Sequence, residues 1–569
     1  MAGVVRVLTE VAPLERAFDY LDGGLDLAPG DRVRVALGPR SVRGWVIEAD
    51  VESPERGPEA LRAVSASLGL GPPPSVVELA RWAAWRFCAP WSHFLATGSP
   101  ARIVRELPTA PPPAPATAAG PSRRDYAPGV YHLAPTSDPL DLVLSAYEAS
   151  RARAGTLLVV VPHEGWAERL GARLERRGLA VARGDWARAR AGWPVVVGTR
   201  AAAFAPAPRL AGAVVLDADD DALASSAAPT WDAPTVVAER CRRDGAPLWM
   251  GALWPAPGLV GRGGYQRDDD LVGGWPRIVL VDRRDRDPHE GALAPIVLEA
   301  ARRALAGAEP VALAVVLQRL GTGRLLACAR CRALARCPLC GQAESEAEGG
   351  LVCPDGHTRA RFCTACASTA LRRVRSGVTT LARDVAAQLG VEVAEVTAAH
   401  PHDGVSRVVV GTEALFASVR RAGAVCFADA DQYLLAPRAA ARRQFIHALG
   451  RAGRLVGARR EGRGALYLQT RRGDDPVLEA VVAARFDDLV AEEAAEAALL
   501  GLSPFGGEAR LSGEGAAELA AELADHGVSV RAGAGGFVAR APDVATLCDA
   551  LARCASRRRC RVAVAGGDG

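Results

Sequence analysis

Seven of the 13 cysteines lie in one short segment of the second half of the chain. Six of them form the pairs Cys328/Cys331, Cys337/Cys340 and Cys363/Cys366, each with Cys-x2-Cys spacing. Cys353 and His357, four residues apart, add two further donors. The backbone N–H groups of such turns orient both sulfurs towards one metal ion, and four donors complete a tetrahedron. The eight donors therefore predict two four-coordinate sites of the kind that Zn²⁺ occupies.

Disulfide bonds are the alternative use of these cysteines. The N-terminus lacks the basic and apolar regions of a secretory signal, and no stretch approaches the roughly 20 apolar residues of a membrane span. We therefore expect a cytoplasmic protein without membrane contact, where structural disulfides are rare and zinc is favoured. His357 is predicted as a ligand because Cys337, Cys340 and Cys353 would otherwise lack a fourth donor; an ordinary surface histidine is the alternative.

The composition limits what the chain can do. Of its 569 residues 49% are hydrophobic and 24% charged, which predicts a large globular protein of several domains. A net charge of +4 does not by itself indicate nucleic-acid binding, so a basic surface would have to come from local clusters. The candidate clusters for phosphate contacts include Arg372, Arg373, Arg375, Arg442, Arg443 and Arg557 to Arg559, and solvated helix faces are the alternative. All 69 basic residues are arginine, because the sequence contains no lysine. An ordinary P-loop, which holds phosphates with a lysine ammonium, is therefore excluded.

The elements that position these residues follow from hydrophobic patterning. Alternating apolar and polar runs open the chain and predict a small β-rich domain. Short β-branched runs such as Leu157–Val161 and Val408–Val410 then alternate with helical patterns, which predicts an α/β fold class with two parallel-sheet lobes. The predicted ranges are 1–105 for the β-rich domain, 106–128 for a Pro/Ala-rich linker, 129–260 for the first lobe, 275–326 and 374–470 for the second lobe, 327–373 for a double zinc-binding insert, and 471–569 for an α+β C-terminal domain.

This domain order resembles that of the PriA family of replication-restart helicases. The strings that carry the resemblance are Ala17-Phe18-Asp19-Tyr20-Leu21, Val195-Val196-Val197-Gly198-Thr199-Arg200, Val408-Val409-Val410-Gly411-Thr412 and His447-Ala448-Leu449-Gly450-Arg451-Ala452-Gly453-Arg454. The resemblance implies two RecA-like helicase lobes and a 3′-end DNA-binding domain. In that domain Phe18, Asp19, Tyr20 and Gly38 would hold a terminal nucleotide, since an aromatic face stacks a base and a carboxylate accepts a bond from a 3′-hydroxyl. Ordinary packing of the two aromatic residues in a strand is the alternative.

The resemblance also implies how the metal ligands divide between two zinc ions. The outer site would hold Cys328, Cys331, Cys363 and Cys366, and the inner site Cys337, Cys340, Cys353 and His357. The family's fourth inner cysteine would fall at Gly356, so the histidine is interpreted as a substitution.

Several residues that an ATP-driven motor needs are missing. The Walker A position is Leu133-Ala134-Pro135-Thr136-Ser137-Asp138-Pro139, without a glycine loop or a lysine. The family's Asp-Glu-Glu-His becomes Asp217-Ala218-Asp219-Asp220, and motif III is reduced to Gly251-Ala252-Leu253-Trp254-Pro255. The family's winged-helix domain is also expected to be absent. We therefore assign no catalytic residues and interpret Asp217, Arg451 and Arg454 as vestigial.

The predicted function is replication restart and primosome assembly without helicase activity. The expected partners are forked, 3′-ended and single-stranded DNA, other primosome proteins, the single-strand-binding protein and the replicative helicase, in a nucleoid-associated location. Zinc is the assigned cofactor, and binding of ATP without turnover stays open. An active ATP-dependent 3′–5′ DNA helicase and a zinc-ribbon interaction protein without specificity for DNA ends are the alternatives.

Overall fold

The computed structural model describes residues 3–11, 16–52, 54, 57–112, 124–225, 227–260, 264–284, 291–318, 326–331, 333, 335–341, 344–347, 349–353, 356–373, 378–434, 441–533 and 535–565. The chain forms two compact units. Unit 1 comprises Met1–Leu133, Asp138–Asp268 and Val490–Gly569, and unit 2 comprises Ala134–Ser137 and Asp269–Leu489. Among the described residues, no helix combines the length and apolar character that a membrane span requires.

The N-terminal domain in unit 1 is a five-stranded antiparallel sheet followed by two helices. Its elements are β1 (Val4–Thr9), β2 (Ala17–Leu21), β3 (Arg32–Leu37), β4 (Arg40–Glu48), β5 (Ala66–Ser67), α1 (Pro74–Arg86) and α2 (Trp91–Thr97). The strands are ordered β2-β1-β4-β3-β5. Alternate residues of β3, Val33 and Val35, are buried, whereas Arg34 between them is exposed, as expected for a strand with one face towards a core.

The first lobe, also in unit 1, is a seven-stranded parallel sheet with the order β12-β6-β11-β10-β7-β9-β8. Its elements are β6 (Gly129–His132), α3 (Pro139–Ser150), β7 (Thr156–Val160), α4 (Glu164–Arg176), β8 (Val181–Arg183), α5 (Trp186–Arg190), β9 (Val195–Gly198), β10 (Leu210–Leu216), α6 (Ala233–Asp244), β11 (Leu248–Ala252), α7 (Pro257–Val260) and β12 (Gln266–Arg267). The strands β7 and β10 are buried along their whole length, as parallel strands covered on both faces are. The sheet continues past the predicted limit at residue 260.

Aromatic packing joins α2 to the first lobe. The ring of Phe94 stacks on that of Phe204 with centroids 5.2 Å apart and meets Trp231 edge-on at 6.0 Å. Trp186 donates its ring N–H to the carbonyl of Gly98 at 2.8 Å. The N-terminal domain and the first lobe therefore share one hydrophobic core.

Unit 2 holds the second lobe, a six-stranded parallel sheet with the order β13-β23-β22-β14-β21-β20. The elements of the lobe are α8 (Leu271–Gly274), β13 (Arg277–Asp282), α9 (Pro295–Ala306), β14 (Val311–Val316), α10 (Val378–Leu389), β20 (Ala394–Val396), β21 (Val408–Gly411), α11 (Leu415–Ser418), β22 (Ala422–Phe427), α12 (Asp431–Leu434), α13 (Ala441–Val456), β23 (Ala465–Thr470), α14 (Pro476–Ala483) and α15 (Phe486–Leu499). The insert between β14 and α10 contains β15 (Leu326–Cys328), β16 (Ser345–Ala347), β17 (Gly350–Val352), β18 (Thr358–Arg359) and β19 (Leu371–Arg373). Unit 2 ends at Leu489, within α15, whereas the predicted C-terminal domain begins at residue 471.

The C-terminal domain in unit 1 has a βαββαβ order and an antiparallel sheet ordered β25-β26-β24-β27, which is the ferredoxin-like arrangement. Its elements are β24 (Gly507–Ser512), α16 (Ala516–Asp525), β25 (Ser529–Gly533), β26 (Gly536–Ala541), α17 (Val544–Arg553) and β27 (Arg561–Val564). Trp85 of α1 donates its ring N–H to Asp549 of α17 at 2.9 Å. The predicted fold class is confirmed: two α/β lobes, a cysteine-rich insert in the second, a β-rich N-terminal domain and an α+β C-terminal domain.

A buried arginine holds the segment after β9 on the first lobe. Arg240 of α6 donates to the carbonyls of Ala203, Ala205 and Ala207 at 3.1, 2.9 and 2.7 Å. Burial lowers the pKa of Arg240 to about 10, so the guanidinium still carries its charge at neutral pH. Three backbone acceptors in the core therefore depend on one side chain.

We expect Arg240→Ala to lower the free energy of unfolding by about 3 kcal/mol or more, because it leaves three buried carbonyls without donors. Urea unfolding followed by tryptophan fluorescence measures the change. Arg242→Ala on the same helix is the control, since that side chain is 72% exposed and should change stability by no more than about 0.5 kcal/mol. Equal losses in the two variants would contradict a structural role for Arg240.

Candidate functional site

The outer group of four cysteines is assembled by the pairing of β15 with β19. Cys328 lies opposite Leu371 in this antiparallel pair, so the two Cys-x2-Cys turns come together. The sulfur–sulfur distances are 3.5 Å for Cys328–Cys366 and 3.5 Å for Cys331–Cys363. The four sulfurs belong to one group whose ligand atoms all lie within 4.8 Å of one another.

The inner group is assembled beside the three-stranded sheet β16-β17-β18. His357 Nδ1 lies 3.6 Å from Cys337 Sγ and 3.4 Å from Cys353 Sγ, and Cys340 Sγ lies 3.6 Å from Cys353 Sγ. The turn between Cys353 and His357 closes with a bond from the N–H of Gly356 to the Cys353 carbonyl. Gly356 has a φ of +84°, a conformation that favours glycine. The donor atom that completes the group of four belongs to the next residue, His357.

The donor geometry fits a tetrahedral metal ion and excludes disulfides. Metal–sulfur bonds of about 2.3 Å in a tetrahedron place the sulfurs about 3.8 Å apart, and the observed separations are close to this. A disulfide would bring two sulfurs to about 2.05 Å. The structure thus brings all eight predicted ligands together, in the two predicted groups of four.

Backbone N–H groups favour the thiolate forms of Cys328 and Cys337. At Cys331 an N–H from Ala333 acts in the same direction, but hydrogen bonding with the neighbouring sulfurs of Cys366 and Cys363 raises the pKa to about 12. The N–H of Cys331, with a further N–H from Arg330, lowers the pKa of the Cys328 thiol to about 6. Burial opposes ionisation of Cys337, but the N–H groups of Cys340 and Leu339 outweigh it and lower its pKa to about 7. Because the thiolate is the form that binds metal, these turns favour metal binding at neutral pH.

At the Walker A position, a side chain occupies the helix end that would receive phosphate. Asp138 caps α3 by accepting the N–H of Leu140 at 3.0 Å. Arg173 of α4 forms two hydrogen bonds to the Asp138 carboxylate, at 2.8 and 2.6 Å, and this contact raises the pKa of Arg173. The anion that a helix N-terminus attracts is therefore supplied by the chain itself.

The segment after β10, where the family carries its metal-holding and water-activating acids, has a different use here. Asp217 is buried and adopts a φ of +45°. Asp219 accepts hydrogen bonds from the backbone N–H groups of Leu253 and Trp254, at 3.2 and 2.7 Å. These two residues lie at the motif III position. Asp220 caps a short 3₁₀ turn by accepting the N–H of Ala222. Two of these three carboxylates thus fix backbone conformation.

The two arginines of motif VI lie on α13 and have acceptors inside unit 2. Arg451 lies 3.5 Å from the Glu413 carboxylate, which also accepts the hydroxyl of Tyr433 at 3.0 Å. Arg454 donates to the carbonyl of Pro135 at 3.2 Å. The resemblance of the string His447 to Arg454 to the family's helicase motif VI identified the two arginines. Only the tertiary structure shows that Glu413 and Tyr433 lie beside Arg451, because no local signal links them to α13.

In the N-terminal domain, three of the four predicted nucleotide-binding residues lie on the edge strand β2, on both of its faces. Phe18 and Tyr20 face the domain core, and the Tyr20 hydroxyl donates to the Ala36 carbonyl at 3.0 Å. Asp19 faces the other side, where its carboxylate, 1% exposed, pairs with Arg6 at 2.9 Å. Gly38 lies in the turn between β3 and β4 with a φ of +59°. The strand therefore separates the aromatic residues from the carboxylate, because successive side chains alternate in direction.

The arginine clusters proposed from the sequence are in part engaged within the protein. Arg557 donates to the carbonyls of Leu551 and Ala552 at the end of α17, where a cation complements the helix dipole. Arg559 pairs with Glu518 at 2.6 Å. Arg375 lies outside the described residues.

Comparison with known proteins places this geometry in a family. Residues 6–100 match the family described as the PriA 3′ DNA-binding domain. The chain is 31% identical over 447 residues to the probable replication restart protein PriA of Mycobacterium bovis, covering 67% of this chain and 66% of the relative. It is 30% identical over 460 residues to the Mycobacterium leprae protein with the same description, covering 67% of each. The chain thus aligns with about two thirds of the length of these relatives.

Solved structures of low identity were also found. They include Dbp5 of S. cerevisiae bound to RNA and ADP BeF3 (10% identity, 65% of this chain, 85% of that chain, TM-score 0.35) and the DUF1998 helicase MrfA bound to DNA (12% identity, 64% and 46%, TM-score 0.32). The strand orders above, together with the 3′ DNA-binding domain, define a helicase-type protein with two α/β lobes and a metal-binding insert. The chain belongs to the family of the replication restart protein PriA.

We expect the purified chain to contain two metal ions, because two closed groups of four donors are present. His357→Ala should reduce the stoichiometry to one, and His357→Cys should restore it, since a thiolate replaces the imidazole. Elemental analysis by inductively coupled plasma mass spectrometry measures both. Cys554→Ser, at a buried cysteine outside the two groups, is the control and should retain two ions. A stoichiometry unaffected by His357→Ala would remove the histidine from the inner site.

Proposed function

We propose that the chain is a replication-restart protein that binds forked and 3′-ended DNA and recruits replication proteins without ATP-driven unwinding. Family membership supports the restart role. The observation that carries the loss of the motor is the Asp138 carboxylate at the amino end of α3, held there by two hydrogen bonds from Arg173. In this reading the two lobes are retained as a scaffold.

The Asp138 carboxylate places a negative charge at this helix end. A nucleotide phosphate placed there would meet a carboxylate at hydrogen-bond distance, and like charges so close repel strongly. Moving Asp138 away would remove a helix cap worth about 1 kcal/mol and its contact with Arg173. No lysine exists elsewhere in the sequence to compensate.

The remaining motor residues support the same proposal. Asp219 is engaged with backbone N–H groups, the water-activating glutamate is Ala218, and Arg451 already has the carboxylate of Glu413 as a counter-charge. Loss of an arginine finger alone lowers phosphoryl transfer by about 10³-fold or more. An active 3′–5′ helicase is the rival function, and it would need all of these groups to rearrange.

We assign zinc to both metal groups, because closed sets of four thiolates, or of three thiolates and one imidazole, are the structural sites of Zn²⁺. The insert has a small apolar core, so metal binding and folding of the insert are coupled. Contacts of the insert with primosome proteins, the single-strand-binding protein or the replicative helicase are part of the proposal. A protein that acts in this way on DNA would reside in the cytoplasm, at the nucleoid.

For the DNA end, we propose that Asp19 accepts the 3′-hydroxyl of a strand. Its carboxylate is 1% exposed and bonded to Arg6 in the free chain, so the Arg6 side chain, which is 29% exposed, must shift when the strand binds. The half-buried ring of Phe18 is the base-stacking candidate. Tyr20, whose hydroxyl bonds to the Ala36 carbonyl in the core, supports the strand instead.

We expect ATP turnover in the presence of forked DNA to be at least about 10³-fold below that of an intact helicase, because the phosphate cradle and the catalytic glutamate are absent. Phosphate release measures it. Arg451→Ala should leave the low rate unchanged, since that arginine has no phosphate to stabilise. Brisk DNA-stimulated turnover that falls on Arg451→Ala would establish the rival helicase.

A fork with a free 3′-hydroxyl should bind about tenfold more tightly than one with a blocked 3′ end, because a hydrogen bond to a charged acceptor contributes about 1.5 kcal/mol. Fluorescence anisotropy measures both affinities. Asp19→Ala should abolish the difference, whereas Glu48→Ala, which removes the other partner of Arg6, should preserve it. Equal affinity of the wild-type chain for the two forks would favour the third alternative, a zinc-ribbon interaction protein without end specificity.

A further inference from the structure

Two arginines face each other on the N-terminal sheet. Arg34 of β3 lies directly opposite Arg43 of β4 in the antiparallel register. Directly opposed residues project from the same face, with Cβ atoms about 4.5–5.5 Å apart. Both arginines are exposed, so two positive charges stand side by side in solvent.

The same sheet provides counter-charges for two further arginines, Arg6 and Arg32. The pairs are Arg6 with Asp19 and Glu48, and Arg32 with Glu10 at 3.6 Å. Glu10 is the acidic residue next to Arg43 in the sheet, since its N–H donates to the Arg43 carbonyl, but its carboxylate contacts Arg32. On the other side, β5 places Ala66 opposite Arg34. Within the described part of the chain, neither Arg34 nor Arg43 forms an ion pair.

Like charges directly opposite each other in a sheet are destabilising, so this pair lowers the stability of the isolated domain. The destabilisation is relieved if an anion outside the chain lies between the two guanidinium groups. Guanidinium forks match the oxygen geometry of phosphate, and arginine holds phosphate in two parallel hydrogen bonds. Both residues lie within the range that matches the 3′ DNA-binding domain.

We infer that Arg34 and Arg43 form a clamp for the phosphodiester backbone of bound DNA. The inference deepens the proposed DNA binding and rests on it. The clamp is separate from the residues proposed for the 3′ end, because the buried Trp45 lies between Arg43 and the Asp19–Arg6 pair on this face of the sheet. Contacts to phosphate carry no information about sequence or about the end of the strand. The clamp therefore adds affinity for any DNA strand that crosses the sheet.

The test compares the wild-type chain with the double variant Arg34→Gln/Arg43→Gln. Binding to a free and to a blocked 3′-ended fork is measured by anisotropy over a range of salt concentrations. We expect the variant to bind both forks more weakly by the same factor. The slope of log affinity against log salt should become shallower by about 1.8 if each arginine neutralises one duplex phosphate. We also expect the free variant to melt at a higher temperature than the wild type, because the like-charge repulsion is gone.

Arg303→Gln is the control, because this exposed arginine pairs with Glu299 on α9 of the second lobe and should leave the salt slope unchanged. A double variant with wild-type affinity and slope would overturn the clamp while the proposed DNA binding stands. A wild-type chain that binds neither fork would overturn the proposed function. A second measurement adds inorganic phosphate to both proteins. A rise in the melting temperature of the wild type, but not of the double variant, would support an anion site at Arg34 and Arg43. If the substitutions nevertheless left DNA affinity unchanged, the site would bind free phosphate and the clamp for DNA would be rejected.

Discussion

At the amino end of α3, the carboxylate of Asp138 takes the place where nucleotide-binding lobes hold phosphate. A helix N-terminus presents N–H groups and a positive partial charge, so it requires an anion. Here the chain supplies that anion, and Arg173 fixes it with two hydrogen bonds. A sequence without lysine has no ammonium with which to bind a phosphate instead.

Residues at the other motif positions are likewise hydrogen-bonded or ion-paired within the protein, because a buried polar group without a partner is costly. Asp219 satisfies two backbone N–H groups after β11, and Glu413 accepts from Tyr433 while lying beside Arg451. These contacts give residues at the family's motif positions structural hydrogen bonds and ion pairs within each unit. Selection for stability is enough to retain such residues, because removing one partner leaves the other buried without a hydrogen bond. Their presence is therefore no evidence of turnover.

The cysteine-rich insert has a much smaller hydrophobic core than the lobes. The lobes bury long runs of valine, leucine and alanine between sheets and helices, whereas the insert has only short strands and a small cluster of buried side chains around Leu326 and Leu351. Small folds of this kind need an additional constraint such as a metal ion. The largely buried ion pair between Glu344, which precedes β16, and Arg359 of β18 links these two parts of the insert. If the two groups bind metal as proposed, chelation should unfold the insert.

The sequence by itself determined the fold class, the eight metal donors and the absence of a P-loop. These features are local: β-branched runs predict buried parallel strands, Cys-x2-Cys turns place two sulfurs on one ion, and the absence of lysine requires no structure. Only the tertiary structure decided which residues meet across long separations. Examples are Arg173 with Asp138, Glu413 with Arg451, and the opposition of Arg34 and Arg43. It also drew the domain limits near residues 268 and 489. Such contacts depend on strand register and helix packing across the whole core, and residues far apart in the chain carry no local signal that pairs them.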